Sequence, residues 1–241
     1  MLSRINIEDF FDRNVEFYGR RQVSDYDLFF VTHVQSLKAK TLLDIGGGSG
    51  TFADLVKQHL PDVEVTVVDP SQALLDKIGN QTIEKINRKL PNNLNLTTGR
   101  DFGIIHVKEV LHHVVGNSVS ASKELLTESL QAIASRLADN GHLVIDEVYY
   151  ESFIFPPFTR NSIFYLLRLQ NSLRVRFPVY GFLKDLQVCF YTRHELLEEL
   201  TKNGFCILEH REVPFASNFT KKVGILKKWG RVMIIAQKVS G

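Results

Sequence analysis

Thr41-Leu42-Leu43-Asp44-Ile45-Gly46-Gly47-Gly48-Ser49-Gly50-Thr51 joins a short apolar run to a cluster of glycines. An unbroken apolar run that ends in glycine reads as a strand buried on both faces. Phe52-Ala53-Asp54-Leu55-Val56 continues as a helix, and Pro61 stops it. In an open parallel sheet, ligands bind beyond the carboxyl ends of the strands, which is where this loop lies. Gly46, Gly48 and Gly50 let the backbone turn sharply and let a ligand approach it closely. The helix that follows offers free N–H groups at its start.

Loop spacing discriminates between ligands. A dinucleotide fingerprint is GxGxxG, and its last glycine is needed for tight packing. Here the pattern is GxGxG, and Thr51 stands where that last glycine belongs. There is no GxxxxGK[ST], which excludes a phosphate-gripping loop of that kind.

Outward from the loop, 63–68 reads as a second strand that ends at Asp69-Pro70. A helix is expected over 72–90, a third strand over 94–97 and a fourth over 102–107. Leu125, Leu126, Leu130, Ile133, Ala134 and Leu137 form a helical stripe. Asn140-Gly141 should end that helix, and 142–148 reads as a fifth strand. Strand and helix thus alternate five times. This predicts an α/β fold: a Rossmann-like, doubly wound, mostly parallel sheet with helices on both faces. Residues 1–39 read as N-terminal helices that cover the sheet, because Ile5, Phe10, Phe11, Val15, Phe17, Leu28, Phe29, Val31 and Val34 recur at helical spacing. Residues 40–149 form the core. Residues 150–191 are dense in aromatics, among them Tyr150, Phe153, Phe155, Phe158, Phe164, Tyr165, Phe177, Tyr180, Phe182, Phe190 and Tyr191. Pro156-Pro157 and Pro178 prevent one continuous helix there. The segment reads as a cap inserted after the fifth strand. Residues 192–241 return to the core with a helix at 192–203 and strands at 205–210 and 231–238. No linker or repeat divides the chain, so a single domain is expected.

Composition bounds the function. The net charge of +2 over 241 residues does not argue for nucleic acid. The pairs Lys221-Lys222 and Lys227-Lys228 read as a solvated face. Cys189 and Cys206 lack metal-ligand spacing, so no metal is expected, and reduced thiols fit a cytoplasmic location. The first residues are not a secretory signal, and no stretch is apolar enough for a transmembrane segment.

Asp69, at the end of the second strand, can accept hydrogen bonds from a ribose diol; capping the next helix is the alternative, and Ser71 suits that task equally well. Four segments in order then resemble class I S-adenosylmethionine-dependent methyltransferases. Leu42 to Gly50 resembles their first motif and Val67-Val68-Asp69-Pro70-Ser71 their second. Phe102-Gly103-Ile104-Ile105-His106-Val107-Lys108-Glu109-Val110-Leu111-His112-His113-Val114 resembles the fourth-strand motif of the small-molecule branch that includes ubiquinone- and menaquinone-type methyltransferases. Leu137-Ala138-Asp139-Asn140-Gly141-His142-Leu143-Val144-Ile145 resembles the turn into the fifth strand. The resemblance covers residues 40–150 well and the last fifty loosely. It implies S-adenosylmethionine as methyl donor and S-adenosylhomocysteine as product. Asp44, Gly46, Gly47, Gly48, Ser49 and Gly50 would lie along the methionine part and the ribose. Asp69 would hold the ribose hydroxyls, with Pro70 and Ser71 near the adenine and the backbone at Lys108 and Glu109 near the sulfonium. Two departures stand out. Thr98-Gly99-Arg100-Asp101-Phe102 compresses the segment that holds the adenine amine in relatives, which leaves Asp101 with Phe102 as the candidate contact. Gly103 replaces the usual aspartate of the fourth strand.

Methyl transfer from a sulfonium needs alignment more than activation, and a base only where the acceptor must lose a proton. His113, then His112, are the candidates; the alternative is that they only shape the pocket. Glu147 and Tyr149 are further candidates to orient an acceptor. In this fold an N-terminal helix often closes over the donor, which brings in Tyr18, Arg20 and Arg21; a surface position is equally open to the arginines. The aromatic insertion suggests a lid over an apolar or aromatic small-molecule acceptor, and Arg160, Arg168, Arg174 and Arg176 can recognise an acid group on it. The competing use of these aromatics is the cap's own core or a homodimer interface. An RNA or protein methyltransferase, a non-catalytic subunit with this fold and a dehydrogenase are the alternatives. Against the first stand the lack of a basic groove and of N-x-P-P-[YF] after the fourth strand.

Overall fold

The computed structural model describes residues 7–19, 23–91, 101–153, 155–175, 185–215 and 226–239. Strand β1 (Thr41–Ile45) is buried almost throughout, as an apolar run between two helical layers must be. Helix α4 (Thr51–His59) follows the glycine loop and buries Phe52, Ala53, Leu55 and Val56. It comes after α1 (Ile7–Arg13), α2 (Val15–Tyr18) and α3 (Asp25–Ser36). Ser24 caps α3 in a reciprocal capping box with Asp27. Strand β2 (Glu64–Asp69) ends on the carboxylate singled out above.

The expected helix over 72–90 does not form. Helix α5 (Gln72–Leu75) stops after one turn, and β3 (Glu84–Asn87) pairs with β2 in parallel, Thr66 opposite Glu84. The helix has ended by Asp76, and further on the Asn80 side-chain oxygen accepts from the Thr82 N–H at 3.0 Å, a turn that leads the chain into β3. Apolar residues at 74, 75, 78, 83 and 86 fit a helical stripe, yet they are divided between a turn and an edge strand. The strand expected at 94–97 lies outside the described residues.

Strand β4 (Phe102–Lys108), a 3-10 turn (Leu111–His113) and α6 (Val119–Arg136) follow. Asn140-Gly141 does not end α6, which stops at Arg136. Strand β5 (Leu137–Ser152) starts at once, and Asn140 takes φ +59° in an irregular stretch where the register against β4 slips. Helix α7 (Pro156–Leu173) occupies the insertion, with prolines where a helix start tolerates them. Helix α8 (Arg193–Lys202), β6 (Phe205–Pro214) and β7 (Leu226–Lys238) complete the chain.

The sheet runs β3-β2-β1-β4-β5-β7-β6, parallel through β5, with β7 antiparallel to its neighbours. Two apolar cores cover its faces. On one, Leu126, Leu130, Ile133, Leu196 and Leu200 bring in α6 and α8; on the other, Phe30, Val34, Phe52 and Leu55 bring in α3 and α4. A third core joins the cap to β5 and β7 through Ile163, Leu167, Val188, Phe190 and Trp229, and Ile7 and Phe10 of α1 pack against it. The strand order reverses between β1 and β4, so their carboxyl ends open a cleft.

Candidate active site

A cavity of about 1090 Å³ fills this cleft. Its floor is Gly46, Gly47, Gly48 and Ser49 with Asp69 and Pro70. Its far wall is Val110, His113, Val114 and Val115 after β4, and its roof is Phe10, Phe11, Phe17 and Tyr18 from α1 and α2. Arg88, Lys89, Leu90 and Pro91 close one side, and Asp185 and Gln187 the other.

The loop's shape follows from its glycines. Gly46 has φ +72°, and a Cβ there would lie 2.2 Å from Val110 Cγ2. Gly48 has φ +55° with nothing nearer than 3.8 Å to a Cβ, so its cost of substitution is backbone strain and its free side faces the cleft. Gly50 caps α4 in the left-handed region and does not line the cavity.

Asp69 is buried at the floor. One carboxylate oxygen accepts from the Gly48 N–H at 2.9 Å and the other from the Ser71 N–H at 2.8 Å. Burial pushes its carboxyl up to about 6 against the pull of those two N–H groups, and Asp44 and Asp12 nearby add to the rise. Ser71 is the cap of α5, accepting from Leu74 N–H at 3.2 Å, and its hydroxyl donates to Asp12 at 2.5 Å; it is fully buried and does not line the cavity. Asp44 also sits behind the loop. One oxygen meets His106 Nδ1 at 2.8 Å, and the other is buried with no hydrogen-bond partner. His106, packed against Phe52, was not singled out from the sequence. A histidine in an otherwise apolar strand, opposite Asp44 in the register of β1 and β4, is the signal that could have found it.

Lys108 contributes to the cavity wall, but its ammonium turns to α3, where it meets Asp27 at 2.5 Å. Asp101 and Phe102 stand apart from the cleft. Phe102 opens β4, fully buried, and the Asp101 carbonyl accepts from Thr41 at the amino end of β1, the edge of the sheet opposite the glycine loop. Parallel pairing of β1 and β4 fixes this, and it corrects the expectation that this pair meets an adenine.

The two histidines separate. His113 lines the cavity beside Phe11, and its Nδ1 is buried without a hydrogen-bond partner. Burial holds its pKa well below the usual 6.5, the neighbouring His112 adds to the fall, and a hydrogen bond with the Gln187 main chain opposes it. His113 is therefore a neutral imidazole. His112 points away from the cleft, Nδ1 to Glu147 at 2.5 Å. Burial alone lowers its pKa, but the Glu147 charge and hydrogen bond outweigh that and raise it. Glu147, fully buried, also accepts from the N–H groups of Leu111 at 2.7 Å and Val148 at 2.6 Å, so it braces the turn that carries both histidines. Tyr149 donates to Glu212 at 2.9 Å. Neither Glu147 nor Tyr149 reaches the cavity, so neither faces an acceptor there.

Among the described residues of the cap segment, Asp185 and Gln187 line the cavity and none of α7 does, so the aromatic helix itself does not cover it. Arg160 is buried against Glu195 at 2.6 Å, Arg168 donates to the Asn117 carbonyl, and Arg174 is exposed at the end of α7. The aromatic roof comes from α1 and α2, whose Phe10 and Phe11 recur at helical spacing in the segment expected to cover the sheet. Arg20, Arg21, Arg176, Phe177, Pro178, Tyr180, Phe182, Lys221 and Lys222 lie outside the described residues. Among the described residues, no group of His, Cys, Asp or Glu is placed to hold a metal ion, and no helix is long and apolar enough to cross a membrane. Cys189 is buried and Cys206 exposed, both as free thiols.

Residues 16–210 match a family model described as a methyltransferase domain. No curated protein matches the chain by sequence. Among solved structures, the chain resembles the Haemonchus contortus phosphoethanolamine N-methyltransferase 2 in complex with S-adenosylhomocysteine. The TM-score is 0.64 at 13% identity over 98% of this chain, which spans 60% of that enzyme's length. It resembles the N-methyltransferase NodS from Bradyrhizobium japonicum WM9 with S-adenosylhomocysteine (TM-score 0.57, 15% identity, 95% of this chain and 98% of that one). It also resembles the [4+2]-cyclase SpnF (TM-score 0.64, 15% identity, 99% and 98%). Since the last is a cyclase, these likenesses establish the fold and no single activity.

Proposed function

Because the chain belongs to the methyltransferase-domain family, we propose that it transfers the methyl group of S-adenosylmethionine to a small, largely apolar or aromatic acceptor, at oxygen, nitrogen or carbon. The observation that carries this reading is one cleft with two chemically different ends. An acidic, backbone-rich end at Gly46–Ser49 and Asp69 is continuous with an aromatic end at Phe10, Phe11 and His113. Its volume of about 1090 Å³ lies just above the range of about 300–1,000 Å³ for single-ligand sites, which suits a donor and an acceptor together.

The residues fit the donor. Asp69 uses one lone pair of each oxygen on backbone N–H groups, which leaves capacity for both hydroxyls of a ribose. Asp12, Asp44 and Asp69 load this end with negative charge, which favours a cationic sulfonium and opposes the pyrophosphate of a dinucleotide. Asp44 keeps a buried acceptor free behind the loop. Gly46, Gly47, Gly48 and Ser49 would bind through backbone, Pro70 and Tyr18 would flank the adenosyl group, and the main chain at Lys108 would border the reacting end. Ser71 and Gly50 shape the floor without touching the ligand. When bound, S-adenosylmethionine supplies a methyl group already activated by the positive sulfur.

His113 then orients the acceptor. A neutral imidazole of low basicity accepts a hydrogen bond from an O–H or N–H, and it takes a proton only from an acceptor that is already acidic. His112 acts through Glu147 by fixing the turn, not by touching substrate. Phe10, Phe11, Phe17 and Tyr18 exclude water from the reacting end. The Leu111-His112-His113 segment supports the small-molecule branch with ubiquinone- and menaquinone-type enzymes. Incubation with methyl-labelled donor and panels of phenols, amines and apolar carbon acids tests this. Label should enter one apolar class, at a rate that falls at least about tenfold in His113→Ala. Binding of donor without transfer to any class would overturn the methyl-transfer reading and leave donor binding intact.

A further inference from the structure

Helix α7 is apolar on two sides. Its inner side buries Ile163, Phe164 and Leu167, with Thr159, Arg160 and Gln170 also turned inward. At 100° per residue, Phe158, Tyr165, Leu166, Leu169 and Leu173 fall within one outer sector of about 100°. These are the side chains a surface helix ordinarily keeps from water, yet Phe158 is 56%, Tyr165 53%, Leu169 46% and Leu173 58% exposed. Phe153 and Phe155, just before the helix, are exposed further still. A contiguous apolar stripe of this kind marks a contact surface. It does not belong to the acceptor pocket, because no residue of α7 lines that cavity.

Charge indicates what the surface meets. The chain has 27 acidic residues, but none falls in residues 152–184, which hold Arg160, Arg168, Arg174, Arg176 and Lys184. Arg160 is spent on Glu195, and Arg168 lies over the Phe164 ring, 5.4 Å from its centre. Arg174 is exposed at the carboxyl end of the stripe. The helix carries no carboxylate of its own, although Asp185 is bonded to Asn171 at its carboxyl end; a two-fold contact between copies would set the helix and its cation against themselves with little counter-charge. A bilayer of anionic lipid supplies both the apolar layer and the negative charge.

We propose that α7 is an interfacial membrane-docking helix. It lies flat on an anionic bilayer, with Phe158, Tyr165, Leu166, Leu169 and Leu173 in the boundary between headgroups and acyl chains and Arg174 among the phosphates. The helix is not apolar enough to cross a membrane, which agrees with an in-plane placement. This goes beyond the methyl-transfer reading and does not depend on it.

Flotation of the whole protein with vesicles tests the proposal. Protein should float with vesicles of phosphatidylcholine and phosphatidylglycerol, at least about tenfold more than with phosphatidylcholine alone, and less as salt rises. Leu169→Glu with Leu173→Glu should reduce flotation at least about tenfold while circular dichroism and melting temperature are unchanged, as expected for exposed sites. Arg174→Glu, which leaves the apolar stripe intact, should reduce binding to the anionic vesicles alone. No flotation with anionic vesicles overturns the proposal, as does equal binding to both compositions. Dimers in light scattering that the leucine variants break, without flotation, would assign the stripe to a second copy and overturn it as well.

Discussion

Removing the Asp69 carboxylate should separate donor affinity from stability. At neutral pH the charged form is buried, and raising its pKa from 3.8 to about 6 corresponds to about 3 kcal/mol held against folding. The sign is that of a group whose folded pKa is raised: the folded state binds more protons, so this penalty is present above about pH 6 and fades as the pH falls towards 3.8. Asp69→Asn abolishes the penalty and keeps one oxygen for the Gly48 or Ser71 N–H. The other N–H is left unpaired at about 1–3 kcal/mol. The two roughly cancel, so the melting temperature at pH 7.5 should move by only a few degrees. Donor affinity should not be spared. A charge-assisted hydrogen bond to a ribose is worth about 1.5–3 kcal/mol, so S-adenosylhomocysteine should bind about 10- to 150-fold more weakly in calorimetry. In the unaltered protein the same affinity should fall as the pH drops through about 6, where Asp69 takes up its proton, and the asparagine variant should show little of that dependence. An affinity within about twofold of the unaltered protein would refute the ribose assignment.

Gly46→Ala should place a Cβ 2.2 Å from Val110 Cγ2 at φ +72°. Strain and overpacking of about 2–5 kcal/mol should lower the melting temperature by roughly 5–15 °C, and a shift below about 2 °C would contradict the close packing. Glu147→Gln breaks a buried charge pair at a cost of about 3–5 kcal/mol in urea unfolding. In NMR titration the His112 pKa should drop, because burial then acts without its counter-charge; an unchanged value would dismiss the pairing. His33 and His142 share a hydrogen bond at 3.2 Å, and burial first, then the mutual charge at His33, lowers the pKa of each. Their stability contribution is thus full above about pH 6.5 and is lost as the pH falls below it, so His33→Gln should flatten urea stability between about pH 7 and 5.5.

The sequence was most legible where one local signal served one structure. The run from Thr41 to Thr51 could only be a buried strand, a tight turn and a helix, and Asp69 followed from the strand after it. It was least legible where the same spacing fits two periods. Leu74, Leu75, Ile78, Ile83 and Ile86 mimic a helix, and the long-range pairing of β3 with β2, reached through the Asn80 turn, is what draws the second half into the sheet. Asp101 and Phe102 were misplaced because their position depends on the register of β4, a long-range property. The aromatic segment is only partly legible for a related reason: composition reports how apolar a segment is, not which way its faces turn, and α7 turns none of its side chains to the cavity while Asp185 and Gln187 line it. His112 and His113 are adjacent in sequence, yet a 3-10 turn sends one to Glu147 and the other to the cleft.

The central claim, that the glycine loop and Asp69 hold an adenosyl sulfonium, is tested most directly by titrating the intact protein with S-adenosylmethionine, S-adenosylhomocysteine and a nicotinamide dinucleotide in a calorimeter. Both adenosyl ligands should bind one-to-one, and the dinucleotide should give no heat. Tight binding of the dinucleotide with none of either adenosyl ligand would contradict the claim.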